Sequence, residues 1–388
     1  MLSRKKATSA GERPSKSRRK SLSLNLLKTD KRLLPIAIVC VVIAILTIGV
    51  YWITVLTGNQ QDSLKRPSDS NIGIDIDSNV IPVEAPTTLP RRLDGVMVAA
   101  SEANPVPACV MIENAAFGGV RPQSGLSQAS LVYELIVEGG ITRFMAVYAG
   151  ENSERVGPVR SARDTYLEFV SEYNCAYFHA GGSYTALLAV QSFSLRDVDG
   201  LREGGFFWRE SRKVSPHNLF TSTENLYTAI DNHSWTKEDP PNYDTWKFVD
   251  DDLLSEANET ANVIKIGYGG SYDAGYTYNA EHKVYERSTG GQIQTDEVTG
   301  ETITARNVIV QHVQDGFEIE GKGRINWPVT GEGKVDIFRD GSHILGTWKK
   351  DTRQSRTKYF DEAGAEIDLL RGNSWISIVP PFISFEFQ

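Results

Sequence analysis

The sequence predicts an α+β or α/β ectodomain with a mixed sheet, followed by a mostly β domain, both preceded by one transmembrane helix. Three observations support this fold class. A long uncharged run lies near the start of the chain, at residues 33–57. Strand-like apolar runs alternate with helical patterns over residues 143–192. From about Phe248 onward, short alternating segments separated by turns replace the helical patterns.

The first two segments are set apart by charge. Residues 1–32 carry eleven Lys and Arg against Glu12 and Asp30, a net +9, which predicts a basic cytoplasmic arm. Residues 33–57 carry no charge and exceed the roughly 20 residues that a spanning helix needs. The alternatives are a buried core helix and a cleaved signal peptide, whose apolar region is about 7–15 residues. Because the basic side of a span stays inside, we expect a single-pass protein of the cell membrane with its C-terminal domains outside the cytoplasm.

The rest of the chain is acidic. The whole chain carries −8, so the residues after the uncharged run carry −17. Residues 58–92 are polar and contain four prolines, which is typical of a disordered linker. Two domains follow, an α/β ligand-site domain at residues 93–240 and a mostly β domain at residues 247–388. Within the latter, Asp340-Gly341 between two alternating runs predicts a hairpin. We expect no nucleic acid among the partners.

Two strand–loop–helix segments follow each other in the first domain. Residues 143–149 lead into a loop at residues 157–164 and a helical pattern that starts at Ser161. Residues 175–179 lead into a glycine-rich loop and a second helical pattern. This order predicts a parallel unit, whose loops leave the carboxyl ends of neighbouring strands at one edge of the sheet. We therefore expect five residues to converge there: Arg160, Arg163, His179, Gly182 and Ser183.

The chemistry of these loops predicts an anion site. A helix that starts at Ser161 would present unpaired backbone N–H groups and a positive dipole end beside two arginines. Arginine is suited to bidentate capture of phosphate or carboxylate. The alternative is structural, with Arg163 paired to Asp164 or Glu168 of its own helix. The predicted ligand-binding residues are Arg143, Arg160, Ser161, Arg163, Gly181, Gly182, Ser183, Arg209 and His217.

Glu138 and His179 are the candidate catalytic residues. Gly139-Gly140 predicts a hairpin turn in which Glu138 pairs with Ile141, placing Glu134, Glu138 and Arg143 on one face. The two glutamates would then form either a catalytic pair or a structural bridge through Arg143. His179, at the end of a predicted strand, is either an acid–base residue or a hydrogen-bonded core residue.

The three cysteines do not form a disulfide framework. Cys40 lies in the uncharged run, and Cys109 and Cys175 each lie in a predicted strand. We expect the last two to be buried free thiols, with a bridge between them as the alternative. No His-x-x-x-His or paired-cysteine spacing occurs, so the sequence predicts no metal site, and we expect no cofactor.

Several short sequence motifs, taken together, resemble those of the YerB-like family of bacterial envelope proteins. The match extends over about residues 95–385. The resemblance implies a two-domain protein of the bacterial cell surface and implies no known activity. Members of this family are often lipid-anchored through a cysteine that follows a cleaved signal, whereas here Cys40 follows Val39. The motifs are Arg121-Pro122-Gln123-Ser124-Gly125, Glu138-Gly139-Gly140-Ile141-Thr142-Arg143, Gly157-Pro158-Val159-Arg160-Ser161-Ala162-Arg163, His179-Ala180-Gly181-Gly182-Ser183, Phe207-Trp208-Arg209 and Pro216-His217-Asn218-Leu219.

Three functions are compatible with these features. The first is a membrane-anchored envelope protein that binds an anionic cell-wall or lipid-linked ligand. The second is a cell-wall glycan or phosphoester hydrolase that uses Glu138 or His179 as acid or base. The third is an envelope scaffold for protein interactions. The first two would use the same cleft, so the arrangement of its side chains is the feature that separates them.

Overall fold

The computed structural model describes residues 86–238, 243–250 and 259–388. The predicted basic arm, the predicted transmembrane helix and most of the predicted linker therefore lie outside the described residues. The described chain is mostly β, and its helices are short. They are α1 Asp164–Tyr173, α2 Tyr184–Ser192, α3 Thr223–Asn232 and α4 Trp235–Glu238.

The strands of the described chain are numbered in chain order. Those before residue 240 are β1 Thr88–Pro90, β2 Met97–Ala99, β3 Ala108–Glu113, β4 Leu131–Ile136, β5 Thr142–Tyr148, β6 Ala176–His179, β7 Arg196–Asp199, β8 Trp208–Arg209 and β9 Leu219–Phe220. Those after it are β10 Phe248–Val249, β11 Glu259–Thr260, β12 Val263–Gly267, β13 Ala274–Asn279, β14 Val284–Thr289, β15 Gln292–Ile293, β16 Thr304–Ala305, β17 Asn307–His312, β18 Phe317–Ile319, β19 Arg324–Asn326, β20 Gly331–Arg339, β21 Ser342–Lys350, β22 Lys358–Asp361, β23 Leu369–Leu370, β24 Ser374–Val379 and β25 Ser384–Phe387.

A mixed sheet of eleven strands forms the centre of the molecule, as predicted. Its order is β11-β21-β20-β17-β24-β4-β5-β3-β6-β7, with β22 beside β21. The β24–β4, β17–β24, β3–β6 and β6–β7 pairs are parallel, and the others are antiparallel. Strands from both predicted domains thus share one sheet, through β24 and β4. The division at residues 240–247 stays a prediction.

The middle strands of this sheet are covered on both faces. Every residue of β3, β4 and β5 is buried, which explains their nearly continuous apolar sequences. On one face, Tyr133 of β4 stacks on Phe169 of α1 with ring centroids 4.2 Å apart. On the other face, Arg287 of β14 lies over the Phe144 ring of β5. β14 belongs to a second sheet of six strands, ordered β15-β14-β13-β12-β25 with β16 beside β14.

Two predicted hairpins are present, one of them in a different register. Asp340 and Gly341, both with positive φ, connect β20 to β21 as expected. The β4–β5 hairpin also forms, but the loop consists of three residues, 138–140, and Ile136 lies opposite Thr142 rather than Arg143. The predicted register was wrong because Glu138 belongs to the turn and does not pair with Ile141. The one-residue shift places Glu134 and Arg143 on opposite faces of the sheet.

The predicted parallel unit is also rearranged. β5 and β6 are not neighbours, because β3 lies between them and runs antiparallel to β5. β5 returns from a hairpin, so its carboxyl end lies at the far edge of the sheet. The following segment then runs back beside β3, where Val159 bridges Ile112. Consequently α1 still begins near the carboxyl ends of β3 and β6, at Asp164 rather than at Ser161.

Cys109 and Cys175 form a disulfide, so the prediction of free thiols was wrong. Cys109 lies on β3, and Cys175 directly precedes β6, its parallel neighbour. Their Cα atoms are 5.9 Å apart, within the usual range for a bridge. The sequence did not indicate this pairing because β3 and β6 become neighbours only through tertiary structure.

A fully buried ion pair joins the two sheets. Arg287 of β14 donates from Nη2 to Oε2 of Glu134 on β4 at 2.7 Å, and both side chains are completely inaccessible. Arg287 also donates from Nε to Gln294 Oε1 at 2.7 Å and from Nη1 to Tyr276 Oη at 2.5 Å. The guanidinium also lies 4.3 Å from the ring centroid of Trp375. Every charged atom of this pair therefore has a partner away from water.

We expect Arg287→Met to lower the free energy of unfolding by roughly 3–5 kcal/mol, because it leaves the Glu134 carboxylate buried without its partner. The double variant Glu134→Gln/Arg287→Met should recover part of that loss. The control is Lys265→Met, which removes the exposed Lys265–Glu386 pair and should cost at most about 1 kcal/mol. Urea unfolding measures the free energy of unfolding of the wild type and of the three variants. An Arg287→Met loss no larger than that of Lys265→Met would contradict the assignment.

Reduction of the disulfide should lower the free energy of unfolding by about 4 kcal/mol. The bridged cysteines are 66 residues apart, and opening so long a loop increases the entropy of the unfolded chain. Urea unfolding with and without reductant measures the effect, with free thiols titrated to prove reduction. The Cys109→Ala/Cys175→Ala variant should resemble the reduced protein and show no response to reductant. Equal midpoints for oxidised and fully reduced wild type would disprove the expectation.

Candidate functional site

Polar side chains surround a cavity at one edge of the central sheet. Here the carboxyl ends of β3, β4 and β6 lie beside the start of β5. The cavity has a volume of about 270 Å³. We call it the Arg160 cavity, and its polar lining consists of Glu113, Asn114, Glu138, Thr142, Arg143, Arg160 and His217.

Glu113 organises one wall of the Arg160 cavity. It is the last residue of β3 and lies directly opposite Arg143 of β5. Its Oε1 is 3.1 Å from Arg160 Nε, and its Oε2 is 2.9 Å from Nδ1 of His217. Phe117 covers this imidazole edge-on, with ring centroids 5.8 Å apart. The carboxylate therefore holds an arginine and a histidine side by side.

Arg160 is held through its backbone and leaves its donors available. Its N–H donates to Met111 O at 2.9 Å, and its carbonyl accepts from Ala180 N at 3.0 Å. Apart from the ion pair with Glu113, its guanidinium makes no hydrogen bond to any part of the chain that the structure describes. About a quarter of the side chain is exposed. Its Nη groups are thus free to bind an incoming acceptor.

The opposite wall is a compensated arginine pair. Arg163 donates from Nε to Glu138 Oε2 at 2.7 Å and bonds the other carboxylate oxygen through Nη2. Arg143 lies 3.6 Å from the same carboxylate and donates to the Ser161 carbonyl at 2.8 Å. Burial alone would raise the pKa of Glu138, but the Arg163 hydrogen bonds and both positive charges lower it to about 2. Burial and the charge of Arg163 lower the pKa of Arg143 to about 10.

The structure brings together only some of the predicted residues. Glu138, Arg143, Arg160 and His217 line the Arg160 cavity. Behind its wall, Arg163 holds Glu138, and the Ser161 carbonyl holds Arg143. Arg209 lies outside the cavity, where it donates to Asn218 Oδ1 at 2.7 Å and supports the loop that carries His217.

His179 and the glycine-rich loop do not line the cavity. The His179 ring is fully buried, with Nδ1 2.8 Å from Gly181 O and Nε2 2.6 Å from Asp197 Oδ1. Both ring nitrogens are therefore occupied, which corresponds to the core alternative. The loop serves packing and capping: Gly181 N donates to Asp199, and the Ser183 hydroxyl caps α2 by accepting from Ala186 N. The two loops do meet as expected, since Ala180 N donates to Arg160 O at 3.0 Å and Ala162 N to Gly181 O at 2.9 Å. The side chains of the second loop nevertheless do not line the cavity that Arg160 lines.

Sequence reasoning missed Glu113, Asn114 and Phe117. Glu113 ends the buried strand β3, Asn114 directly follows it, and both are buried, with Asn114 fully inaccessible. Polar residues placed right after an apolar strand are a usable signal for a site at a sheet edge. No such rule indicates Phe117, because its contact is with His217, which is far away in the sequence. Within the described ranges, no cluster of His, Cys, Asp and Glu side chains could hold a metal ion.

The described fold is built on one mixed sheet with a second sheet packed against it, and comparison with known proteins identifies the family. Residues 93–236 match the N-terminal domain, and residues 264–376 the C-terminal domain, of a family described as "Protein of unknown function (DUF3048)". YerB, a candidate lipoprotein of Bacillus subtilis (strain 168), is 31% identical over 279 residues, which are 71% of this chain and 81% of YerB. The chain belongs to this YerB-like family, as its motifs suggested.

The solved structure of YerB extends the similarity to three dimensions. The crystal structure of YerB from Bacillus subtilis superposes with a TM-score of 0.67 at 28% identity. The match covers 77% of this chain and 99% of the YerB chain. The described fold is therefore the YerB fold.

The single-pass localisation with a cytoplasmic N-terminus has to be corrected. The description of YerB is that of a lipoprotein, a class held at the membrane by lipid rather than by a retained helix. A leader that ends at a lipidated cysteine has an apolar run of its own, so an uncharged segment does not by itself establish a span. In residues 86–238, 243–250 and 259–388, no helix is sufficiently long and apolar to cross a membrane. The predicted span at residues 33–57 lies outside those ranges.

We expect Glu138→Gln to be destabilising at neutral pH and progressively less so in acid. The folded-state pKa of about 2 lies below the ordinary value of 4.5, so the carboxylate stabilises the fold above about pH 4.5. This contribution should disappear as the pH falls from 4.5 towards 2. Urea unfolding of wild type and variant between pH 2 and pH 7 measures the difference. The exposed Glu386→Gln is the control and should show a small effect throughout. If the difference in the free energy of unfolding between wild type and Glu138→Gln does not depend on pH, the ion-pair assignment is wrong.

Proposed function

We propose that this chain is an extracytoplasmic protein of the bacterial envelope that binds an anionic cell-wall or lipid-linked ligand in the Arg160 cavity. The observation that carries the proposal is the Arg160 guanidinium, whose Nη groups lack hydrogen-bond partners in the described chain. A phosphate or carboxylate would bind both Nη groups. The anion would replace water at a cation that the fold already holds in place.

The charges around the cavity support an anionic ligand. Arg143, Arg160 and Arg163 face Glu113 and Glu138, so one positive charge is in excess. Two of the three arginines share the Glu138 carboxylate, whereas Arg160 shares Glu113 with His217. An incoming anion would therefore meet the excess charge at Arg160. This local charge is opposite in sign to the acidic balance of the chain, which favours a specific site over general attraction.

Two observations support a location outside the cytoplasm. The Cys109–Cys175 disulfide is typical of oxidising compartments. The relative YerB carries the description of a candidate lipoprotein, which supports association with the envelope membrane.

The hydrolase alternative receives less support from the residues first considered for it. With a pKa of about 2, Glu138 would carry no proton to donate near neutral pH, and His179 lies outside the cavity. One arrangement nevertheless favours acid–base chemistry at another residue. Glu113 binds Nδ1 of His217, and this bond would orient the imidazole so that Nε2 could exchange a proton with a bound ligand. His217 is therefore the residue to test for hydrolysis.

We expect Arg160→Ala to weaken binding to purified wall fragments roughly 10- to 100-fold, the value of a charge-assisted hydrogen bond. Arg160→Lys keeps the charge but loses the forked donors, so it should recover binding only in part. Arg212→Ala is the control, because Arg212 is mostly exposed and lies outside the cavity. Co-sedimentation of the full-length chain with the fragments at several salt concentrations measures retention.

The same assay separates the three functions when released products are analysed together with retention. If co-sedimentation with the fragments requires Arg160 and no products are released, the protein binds the wall ligand without cleaving it. Products from wild type that are lost in His217→Gln would make the protein an enzyme. Retention that is equal in wild type and Arg160→Ala would exclude the Arg160 cavity as the site and favour the protein scaffold.

A further inference from the structure

A second cavity lies on the other side of the loop at residues 114–123. Its volume is about 390 Å³. We call it the Thr289 cavity, and its polar lining consists of Arg121, Gln123, Ser271, Thr289, Gln292, Gln294 and Thr295. In contrast to the Arg160 cavity, its described lining residues include no carboxylate. Apart from Arg121, amides and hydroxyls are the groups that this cavity offers to a ligand.

Its one charged side chain, Arg121, is held by neutral acceptors and keeps one unused N–H on each Nη. Arg121 donates from Nε to Asn114 Oδ1 at 3.0 Å, from Nη2 to Asn114 O at 2.9 Å and from Nη1 to Ser271 O at 2.7 Å. Its guanidinium also lies 5.2 Å from the ring centroid of Tyr272. The guanidinium is thus held against the wall by three hydrogen bonds and a ring contact, and no carboxylate of the cavity pairs with it. The rest of the polar lining is neutral, which suits a ligand rich in hydroxyl and amide groups.

Two side chains of the Thr289 cavity have unused hydrogen-bonding capacity. Thr289 is 7% exposed, and its Oγ1 is buried without a partner among the described residues. A buried hydroxyl without a partner is costly, so a ligand that binds it would gain affinity. Gln292 is exposed at the rim beside Ile293, which is 65% exposed. An amide next to an apolar side chain can accommodate a sugar ring, whose edge carries hydroxyls and whose faces carry C–H groups.

Asn114 forms the wall shared by the two cavities. Its side chain lines the Arg160 cavity and donates from Nδ2 to Thr142 Oγ1 at 2.7 Å. On the other side its Oδ1 accepts hydrogen bonds from Arg121 and from Gln123 Nε2, the latter at 2.8 Å. The loop continues with Ala116 in the Thr289 cavity and Phe117, 58% exposed, in the Arg160 cavity. A ligand of several rings could therefore cross this loop and occupy both cavities.

We propose that the ligand is an acidic oligosaccharide, with its anionic group in the Arg160 cavity and neutral sugar residues in the Thr289 cavity. This inference rests on the proposed function and adds the chemical class of the ligand. Arg160 would bind the anion, Phe117 would contact a ring between the cavities, and Thr289 and Gln292 would bind hydroxyl or acetamido groups. The anion contributes the charge-dependent part of the affinity, and the neutral rings contribute the part that does not depend on salt.

The test is calorimetric titration of the full-length chain with two tetrasaccharides. One alternates N-acetylglucosamine with N-acetylmuramic acid and carries lactyl carboxylates; the other is the N-acetylglucosamine tetramer, which has similar rings and no carboxylate. We expect Thr289→Val and Gln292→Ala each to lower the affinity for both tetrasaccharides about threefold to tenfold, the value of one neutral hydrogen bond. Arg160→Ala should lower the affinity for the acidic tetrasaccharide only. Thr289→Val should leave the thermal unfolding midpoint of the free protein equal or slightly higher, because its buried hydroxyl has no partner to lose.

The outcomes separate failure of this inference from failure of the proposed function. If the acidic sugar requires Arg160 but is insensitive to Thr289→Val and Gln292→Ala, the second subsite is wrong and the anion site stands. If both sugars bind equally and Arg160→Ala has no effect, the anion site is wrong, and this inference falls with it. If a sugar-free wall peptide binds through Thr289 more tightly than either tetrasaccharide, the occupant is a peptide. If wild type binds neither tetrasaccharide, the acidic oligosaccharide is excluded.

Discussion

The buried Glu134–Arg287 pair is the interaction on which the rest of the structure depends. Two charges removed from water cost several kcal/mol each unless every donor and acceptor is matched. Here the match requires Tyr276 of β13, Gln294 just after β15 and Glu134 of the central sheet. Sliding one sheet over the other would therefore separate these partners and leave charges unpaired. The position of the two sheets also determines the geometry of the site nearby.

Hydrogen bonds connect this pair to both cavities. Thr142 donates to Glu134 at 2.8 Å and accepts from Asn114, whose Oδ1 in turn accepts from Arg121 and Gln123. The motif that begins Arg121-Pro122-Gln123 thus has a physical role: it fastens the loop between the cavities to the buried pair. A ligand that contacts this loop would meet a wall supported from the core, so little conformational entropy would be lost on binding.

Local features of the fold were predictable from sequence, and long-range pairings were not. The Asp340-Gly341 hairpin was predicted because its turn chemistry lies within the turn. Arg160 was placed in a loop between a strand and a helical pattern from local sequence alone, and it does line the cavity together with His217. In contrast, the insertion of β3 between β5 and β6 creates the Cys109–Cys175 bridge. Sequence spacing contains no information about that arrangement, since it depends on which strands become neighbours. The predicted register of β4 and β5 was wrong for a simpler reason, because the turn between them is one residue longer than expected.

The distribution of partners among the arginines argues for binding more strongly than the number of arginines does. Arg143 and Arg163 share Glu138, and the low pKa of this carboxyl means that the compensation persists through the neutral range. A group locked in this way contributes rigidity and exchanges no proton. Arg160 shares Glu113 with His217, so its charge is only partly compensated and its donors remain open. These contacts favour the proposed anion site at Arg160, and the His217 imidazole, held on the same carboxylate, is the residue that the hydrolase alternative would use.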